Sequence, residues 1–403
     1  MLDDHELINQ LTETFGSPLY VFNEQAFVEN YKALTDTFRM HYENYHIAYS
    51  FKTNYTPYIA SVVKNHGGYA EVVSGMEYYI AKKIGYKDQN IIFNGPNKGD
   101  AGKEAFLNGC ILNVDNLDEV QTLSDIAKQN ADKSFEIGIR INIDVGQDFI
   151  SRFGVDISEL SSVFEIAERT PNLKVVGLHC HISRCRGLNA WAARTQKMLE
   201  LADKYFEIPP KYIDLGSGMF GSMDPEFAAQ FDNVPSYEEY ANVVAKEVYK
   251  HYRHCDAKPK LFTEPGTTLI NKFIDFIGRV DAIKCVRGKN IAIMNCSEHN
   301  LGETCTLKQL PMQVVKGSDK KEYTEIDITG YTCLEQDVMR KNYTGKIAVG
   351  DYVVFGNVGG YSNVLKPPFI WPNCKMVAVT PNKEFKIIKN AETYDDILST
   401  YVF

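Results

Sequence analysis

From about residue 46 onward, short apolar runs alternate with stretches of helical spacing. The runs fall at 46–52, 69–74, 91–95, 111–115, 135–142, 175–182, 212–218 and 261–266. Between them, 76–83, 117–128, 191–205 and 237–252 carry apolar residues at three- and four-residue steps, as one face of a helix requires. Asn116 stands where the 117–128 helix needs an N-cap, with Glu119 three residues on. Alternating strand and helix implies a parallel sheet with helices outside it. Eight such units in about 220 residues is the count of a (β/α)8 TIM-type barrel. An open, doubly wound sheet is the competing architecture.

After Gly266 the pattern changes. Runs at 273–286, 291–295, 323–328, 352–355 and 375–380 read as strands, and turn signals separate them at Arg287-Gly288, Gly350-Asp351 and Pro381-Asn382. Helical periodicity is scarce, so a second, all-β domain is expected. The run at 17–22 reads as a strand that would pair into it. The expected division is a barrel over 25–268, with 1–24 and 269–403 forming a β-sandwich or barrel-like domain.

Composition narrows the function. A net charge of −9 with no basic stripe argues against nucleic-acid binding, which needs clustered Lys and Arg. The acidic, amphipathic N-terminus lacks the features of a signal peptide, and no apolar run is long enough to span a membrane. The nine cysteines include no CxxC pair, so structural zinc is not expected, and reduced thiols in a cytoplasmic protein fit best.

In a barrel the strand C-termini share one face and carry the chemistry. Lys52 ends the first run, and Arg140 lies in the fifth. His179 and His181 close the sixth, Gly216-Ser217-Gly218 the seventh and Glu264 the eighth. A lysine at the end of an apolar strand should have a lowered pKa, and a neutral amine is the form that condenses with an aldehyde. A glycine-rich turn lets backbone amides approach an anion. Taken singly, each residue also has a plainer reading: a snorkelling lysine, a tight turn, a core histidine.

Together these residues resemble the fold-type III pyridoxal-phosphate (PLP) decarboxylases, which act on diaminopimelate, ornithine or arginine. The likeness runs from SPLYVFN at Ser17 through YSFKTN around Lys52, AEVVSGMEYYIAKKIG from Ala70, IIFNGPNK from Ile91 and ILNVDNLDEV from Ile111. It continues in SRFGV from Ser151, GLHCHIS from Gly177, YIDLGSG from Tyr212, TEPG from Thr263, GYTCLEQDV from Gly330, VGDYVVF from Val349 and GGYS from Gly359. The resemblance implies that Lys52 holds PLP as a Schiff base. His181 would stack on the ring and Glu264 would face its nitrogen. Gly216, Ser217 and Gly218 would cradle the phosphate with Tyr361, and Arg140 would lie near the cofactor. Cys333 would return a proton to the α-carbon across a homodimer interface.

Four departures concern recognition. The family's EPGR appears as EPGTT, with Thr267 at the arginine. HIGSQ appears as HISRC, which places Ser183 and Arg184 after the stacking histidine, and the GGG turn reads GSG. Arg184 or Arg186 could supply the missing positive charge. The acid that follows the cysteine and grips a distal ammonium is Leu334 here. A leucine cannot pair with an ammonium, which points away from meso-diaminopimelate and toward an acidic, acylated or conjugated amino acid, with Glu335 and Asp337 nearby to take over amine recognition. Two alternatives remain at this stage: a PLP-dependent racemase, against which Glu264 and Cys333 argue, and a non-catalytic relative.

Overall fold

The computed structural model describes residues 1–315 and 321–403. The chain divides into two compact units. One comprises 31–221 and 233–268, and the other comprises 1–30, 222–232 and 269–403.

The first unit is a closed barrel of eight parallel strands: β1 (Tyr45–Ser50), β2 (Tyr69–Val72), β3 (Ile91–Phe93), β4 (Ile111–Val114), β5 (Phe135–Asn142), β6 (Leu173–His179), β7 (Tyr212–Asp214) and β8 (Lys260–Thr263). Each strand pairs with its neighbour in sequence, and β8 closes on β1 with Thr263 opposite Ile47. These are the eight runs seen in the sequence, and closure excludes the open sheet. Both faces of each strand are buried, so the strands read as unbroken apolar runs. Inside the barrel, Tyr212 packs with Ala48, Tyr69, Ile92 and Phe262. Its ring lies over Gly138 and Gly177, at positions a Cβ would fill.

The helices follow the expected spacing with one correction. The stretch 237–252 is two helices, Tyr237–Val243 and Ala245–Tyr252, broken at Val244 (φ −116°, ψ −79°). Tyr240, Val244, Val248 and Tyr252 are all buried at four-residue steps. Such a stripe drifts by about 40° per step on a 3.6-residue helix, and the break turns it back to the core. Asn116 caps Leu117–Gln129 by accepting from the Glu119 N–H. The Glu119 carboxylate does not complete a capping box. It accepts from the Asp115 N–H and pairs with Lys98 at 2.7 Å.

The second unit is a nine-stranded sheet. Its long strand Ile274–Val286 pairs antiparallel with Leu19–Asn23, Lys289–Met294 and Tyr352–Phe355. Leu19–Asn23 also runs parallel to Lys375–Val379. The N-terminal strand therefore sits inside this sheet, between two strands from the C-terminal part of the chain. The helix His5–Phe15, capped by Asp4, drops Ile8 and Leu11 onto Val21, Ile277, Val354 and Val377. The sequence reading missed Met312–Val315, Val338–Lys346 and Phe385–Lys389. Val338–Lys346 is mostly polar and buries only Met339, so it carries little alternating apolar signal.

Candidate active site

The rim at the C-terminal ends of the barrel strands carries the candidate site. Strand β1 ends at Ser50, and a turn held by Thr53 N–H to Ser50 O (3.1 Å) and Phe51 N–H to Glu71 O (3.0 Å) presents Lys52. Phe51 is fully buried, while the Lys52 side chain keeps 32% exposure. Its Nζ donates to Glu71 Oε2 at 2.9 Å. Glu71 is fully buried on β2 and also accepts from the Ser50 hydroxyl at 2.5 Å and from Asn94 Nδ2 at 3.2 Å. The sequence reading placed the amine in an apolar setting. The structure corrects this by giving it a carboxylate partner.

Asn94, just past β3, donates to Glu264 as well as to Glu71. Its carbonyl accepts from Asn113 Nδ2 at 2.8 Å, and Asn113 in turn accepts from Tyr212 OH at 2.7 Å. This chain of hydrogen bonds fixes which way the Asn94 amide faces, so that its nitrogen serves both carboxylates.

Glu264 follows β8 and is buried beside His179, whose Nε2 lies 3.3 Å from Oε2. Burial alone would raise its pKa. His179, with its hydrogen bond, and Lys52 outweigh burial and hold the carboxyl well below the usual range. Asp214 at the end of β7 behaves oppositely: burial and the adjacent Glu264 push it well above the carboxylate range. One buried carboxyl is thus held anionic and its neighbour protonated. His179, Asp214 and Glu264 also lie close enough to share an ion. With Asp214 protonated, one of the three would be a poor ligand.

His181 accepts the Ser217 N–H at its Nδ1, 3.1 Å away. Burial and Lys52 push its pKa well below the usual imidazole value, so the ring is neutral. A neutral ring with Nδ1 already accepting makes no ion pair with Glu264, although 3.9 Å separates them. The glycine-rich turn is knit on every side. Gly216 N–H donates to Asp214 Oδ1 (2.9 Å), and Gly216 O accepts from Glu264 N–H (2.8 Å). Gly216 has φ +61°, and a Cβ there would lie 2.6 Å from Cys180 O. Arg140 is buried, 3.7 Å from Asp115 and over the Phe153 ring.

The barrel unit therefore brings together Lys52, His181, Glu264 and the Gly216–Gly218 turn. Glu71, Asn94, Asp214 and Arg194 went unrecognised in the sequence. Glu71 follows an apolar run as an ordinary strand residue, and only the parallel pairing of β1 with β2 sets it beside Lys52. Arg184 is exposed at φ +69°. Arg186 lies over the Phe220 ring.

Five expected residues belong to the sheet unit. Cys333 and Glu335 are exposed, and Leu334 is half-buried. Leu334 and Tyr361 line a cavity of about 420 Å³ with Glu298, His299, Leu365 and Phe369. Asp337 is a correction. It is buried, and its carboxylate accepts from Glu298 N–H, Thr332 N–H and Thr332 Oγ1. Both oxygens are engaged in these bonds, which tie Asp337 to the Glu298 and Thr332 backbone rather than presenting it to a substrate.

A lysine amine, an anionic carboxylate beneath it and a glycine turn on one barrel rim define a pyridoxal-phosphate site. The turn passes a test of fit: Gly216 leaves room that any side chain would fill, and the Gly218 N–H makes no hydrogen bond among the described residues. The comparisons agree. The pyridoxal-binding domain of the pyridoxal-dependent decarboxylases matches residues 26–271, and their C-terminal sheet domain matches 211–359. The chain belongs to this family of PLP-dependent amino-acid decarboxylases. It is 26% identical to diaminopimelate decarboxylase of Aquifex aeolicus, covering 97% of this chain and 93% of that one. It is equally similar to that of Methanocaldococcus jannaschii, over 99% and 94%. The crystal structure of the latter enzyme superposes with a TM-score of 0.87 at 24% identity, covering 98% and 94% of the two chains.

When bound, PLP supplies the electron sink that accepts the pair left as a carboxylate departs as CO2. Lys52 would hold it covalently, with Glu71 paired to the amine. Glu264, anionic and buried, would hold a proton at the ring nitrogen. Neutral His181 presents a flat face without competing for that proton.

Proposed function

We propose that this chain removes the α-carboxylate of an amino acid whose distal end is neutral or acylated rather than a free ammonium. The observation that carries the decarboxylase part is Glu264 held anionic on the same rim as Lys52, because a protonated ring nitrogen is what decarboxylation needs and what racemases of this general fold avoid. The C–CO2 bond breaks with its electron pair retained, and one proton then goes to the α-carbon. Cys333 is the proposed donor of that proton, acting across a homodimer in which the sheet unit of one copy completes the barrel site of the other. Tyr361 joins the phosphate site in this reading, and the barrel residues 25–268 form the cofactor domain. A cytoplasmic setting suits the free cysteines.

The cavity beside Leu334 supports the substrate reading. Leu334, Leu365, Pro367 and Phe369 give it apolar walls. Glu298 and Glu303 also line it, which disfavours an acidic distal group and favours a hydrogen-bond donor such as an acyl-amide N–H, so the case against a free ammonium rests on Leu334. Of the classes the sequence left open, an acylated or conjugated amino acid fits best. Relatives named diaminopimelate decarboxylase share about a quarter of positions with this chain, and the residue after Cys333 is where its own chemistry speaks.

The test is mass spectrometry in heavy water with the PLP-loaded protein and paired substrates, meso-diaminopimelate and N-acylated diamino acids. An amine product carrying one deuterium at the former α-carbon, from the acylated substrate, is expected. Turnover of meso-diaminopimelate at the greater rate would overturn the substrate reading. Deuterium exchange with the carboxylate retained would overturn the reaction. Lys52→Ala should abolish both turnover and the visible absorbance of the bound cofactor.

A further inference from the structure

Beneath the Gly216–Gly218 turn lies a residue that no motif marks. Arg194, on the helix Leu188–Tyr205, is fully buried. Its Nη1 donates to Leu215 O at 2.9 Å and to Ser217 O at 3.0 Å, and its Nη2 donates to Ile182 O at 3.2 Å. The guanidinium lies 4.1 Å from the centre of the Trp191 ring, and its Nε has no partner. Among the described residues no carboxylate forms an ion pair with it. A buried cation satisfied only by carbonyls and an aromatic face is under-compensated, because removing a charge from water normally demands a counter-charge.

The geometry of the peptide indicates where that counter-charge belongs. In a trans peptide the C=O and N–H point in opposite directions. Arg194 grips the Ser217 carbonyl, so the Gly218 N–H of the same peptide is turned to the far side. It is the one N–H of the three-residue turn without a hydrogen bond, since Gly216 serves Asp214 and Ser217 serves His181. Thr268 secures the same loop from the other side by donating to Met219 O at 2.8 Å. The residue before it, Thr267, stands where the sequence pattern leads one to expect an arginine.

We propose that Arg194 is a positioning residue for the cofactor phosphate: it supplies from beneath the turn the positive charge absent at Thr267, and it aims the Gly218 N–H at the anion. The exposed Arg184 then has no such duty. The inference holds whichever amino acid is decarboxylated.

The experiment compares binding of PLP and of pyridoxal, which lacks the phosphate, to the apo-forms of wild type, R194K and R194Q, followed by visible absorbance. In R194Q the affinity for PLP should fall by about tenfold to a hundredfold, with pyridoxal binding changed little. R194K should recover part of the loss. The phosphorus-31 resonance of bound PLP should shift in R194Q. Equal weakening of PLP and pyridoxal, or no change in either, would show a merely structural role and overturn the proposal. Should R194Q fail to fold, inorganic phosphate decides: it should raise the Tm of wild-type apo-protein, and of R194K less, in a concentration-dependent way. No rise in wild type, or an equal rise in R194K, would overturn the proposal.

Discussion

Lys52 Nζ and Glu71 Oε2 stand 2.9 Å apart, one at the end of β1 and the other inside β2, with the carboxylate fully buried. Glu71→Gln keeps the shape and leaves hydrogen-bonding groups for Ser50 and Asn94, but removes the charge. The expected result is a fall in kcat of about tenfold to a hundredfold, measured as CO2 release, with a Tm near wild type. Unchanged kcat would mean that the pair only fills space.

Asn94 ties the two site carboxylates together through one amide nitrogen. Asn94→Ala leaves both acids short of a donor and should cost about 3 kcal/mol in urea denaturation. Asn113→Ala acts through the orientation of Asn94, so the double variant should fall short of additivity. Strict additivity would show that the chain of hydrogen bonds is not coupled.

At Gly216 the positive φ and the approach of Cys180 O leave no place for a side chain. Gly216→Ala should destabilise the fold by about 2 kcal/mol and weaken PLP binding, read from Tm and from cofactor titration. Gly67 also has a positive φ but nothing within 4 Å. Gly67→Ala should therefore leave PLP binding intact.

Glu77 gives a pH signature. Burial, and secondarily Glu71, raise its pKa from 4.5 to about 7, against the stabilising Val73 N–H. Between these values the folded state holds a proton that the unfolded chain has released, so stability falls as pH rises from 4.5 through 7. The loss from this group approaches about 3 kcal/mol above pH 7. Glu77→Gln should flatten that part of the stability curve, measured as Tm against pH. A wild-type slope retained in the variant would assign it to other groups.

The eight barrel strands were legible in the sequence because strands buried on both faces read as apolar runs of strand length, and the residues that end them face one rim whatever the loops do. That rule put Lys52, His181, Glu264 and the glycine turn on one short set of candidates, and the family resemblance assigned their expected roles. The edge strands of the sheet unit were not legible, since a mostly polar strand such as Val338–Lys346 has little apolar alternation to display. Nor could the sequence mark Glu71, Asn94 or Arg194, whose partners lie on other strands or other turns and are brought near only by closure of the ring. Asp337 shows the converse: its type and place suggested a ligand group, but it is buried and engaged by two hydrogen bonds from Thr332 and one from the distant Glu298 N–H. The sequence by itself determined the (β/α)8 barrel, the sheet domain that follows it and the family. Tertiary structure decided the charge state of each buried group, because ionisation in a barrel rim is set by distances of 3–4 Å between residues that the chain keeps far apart.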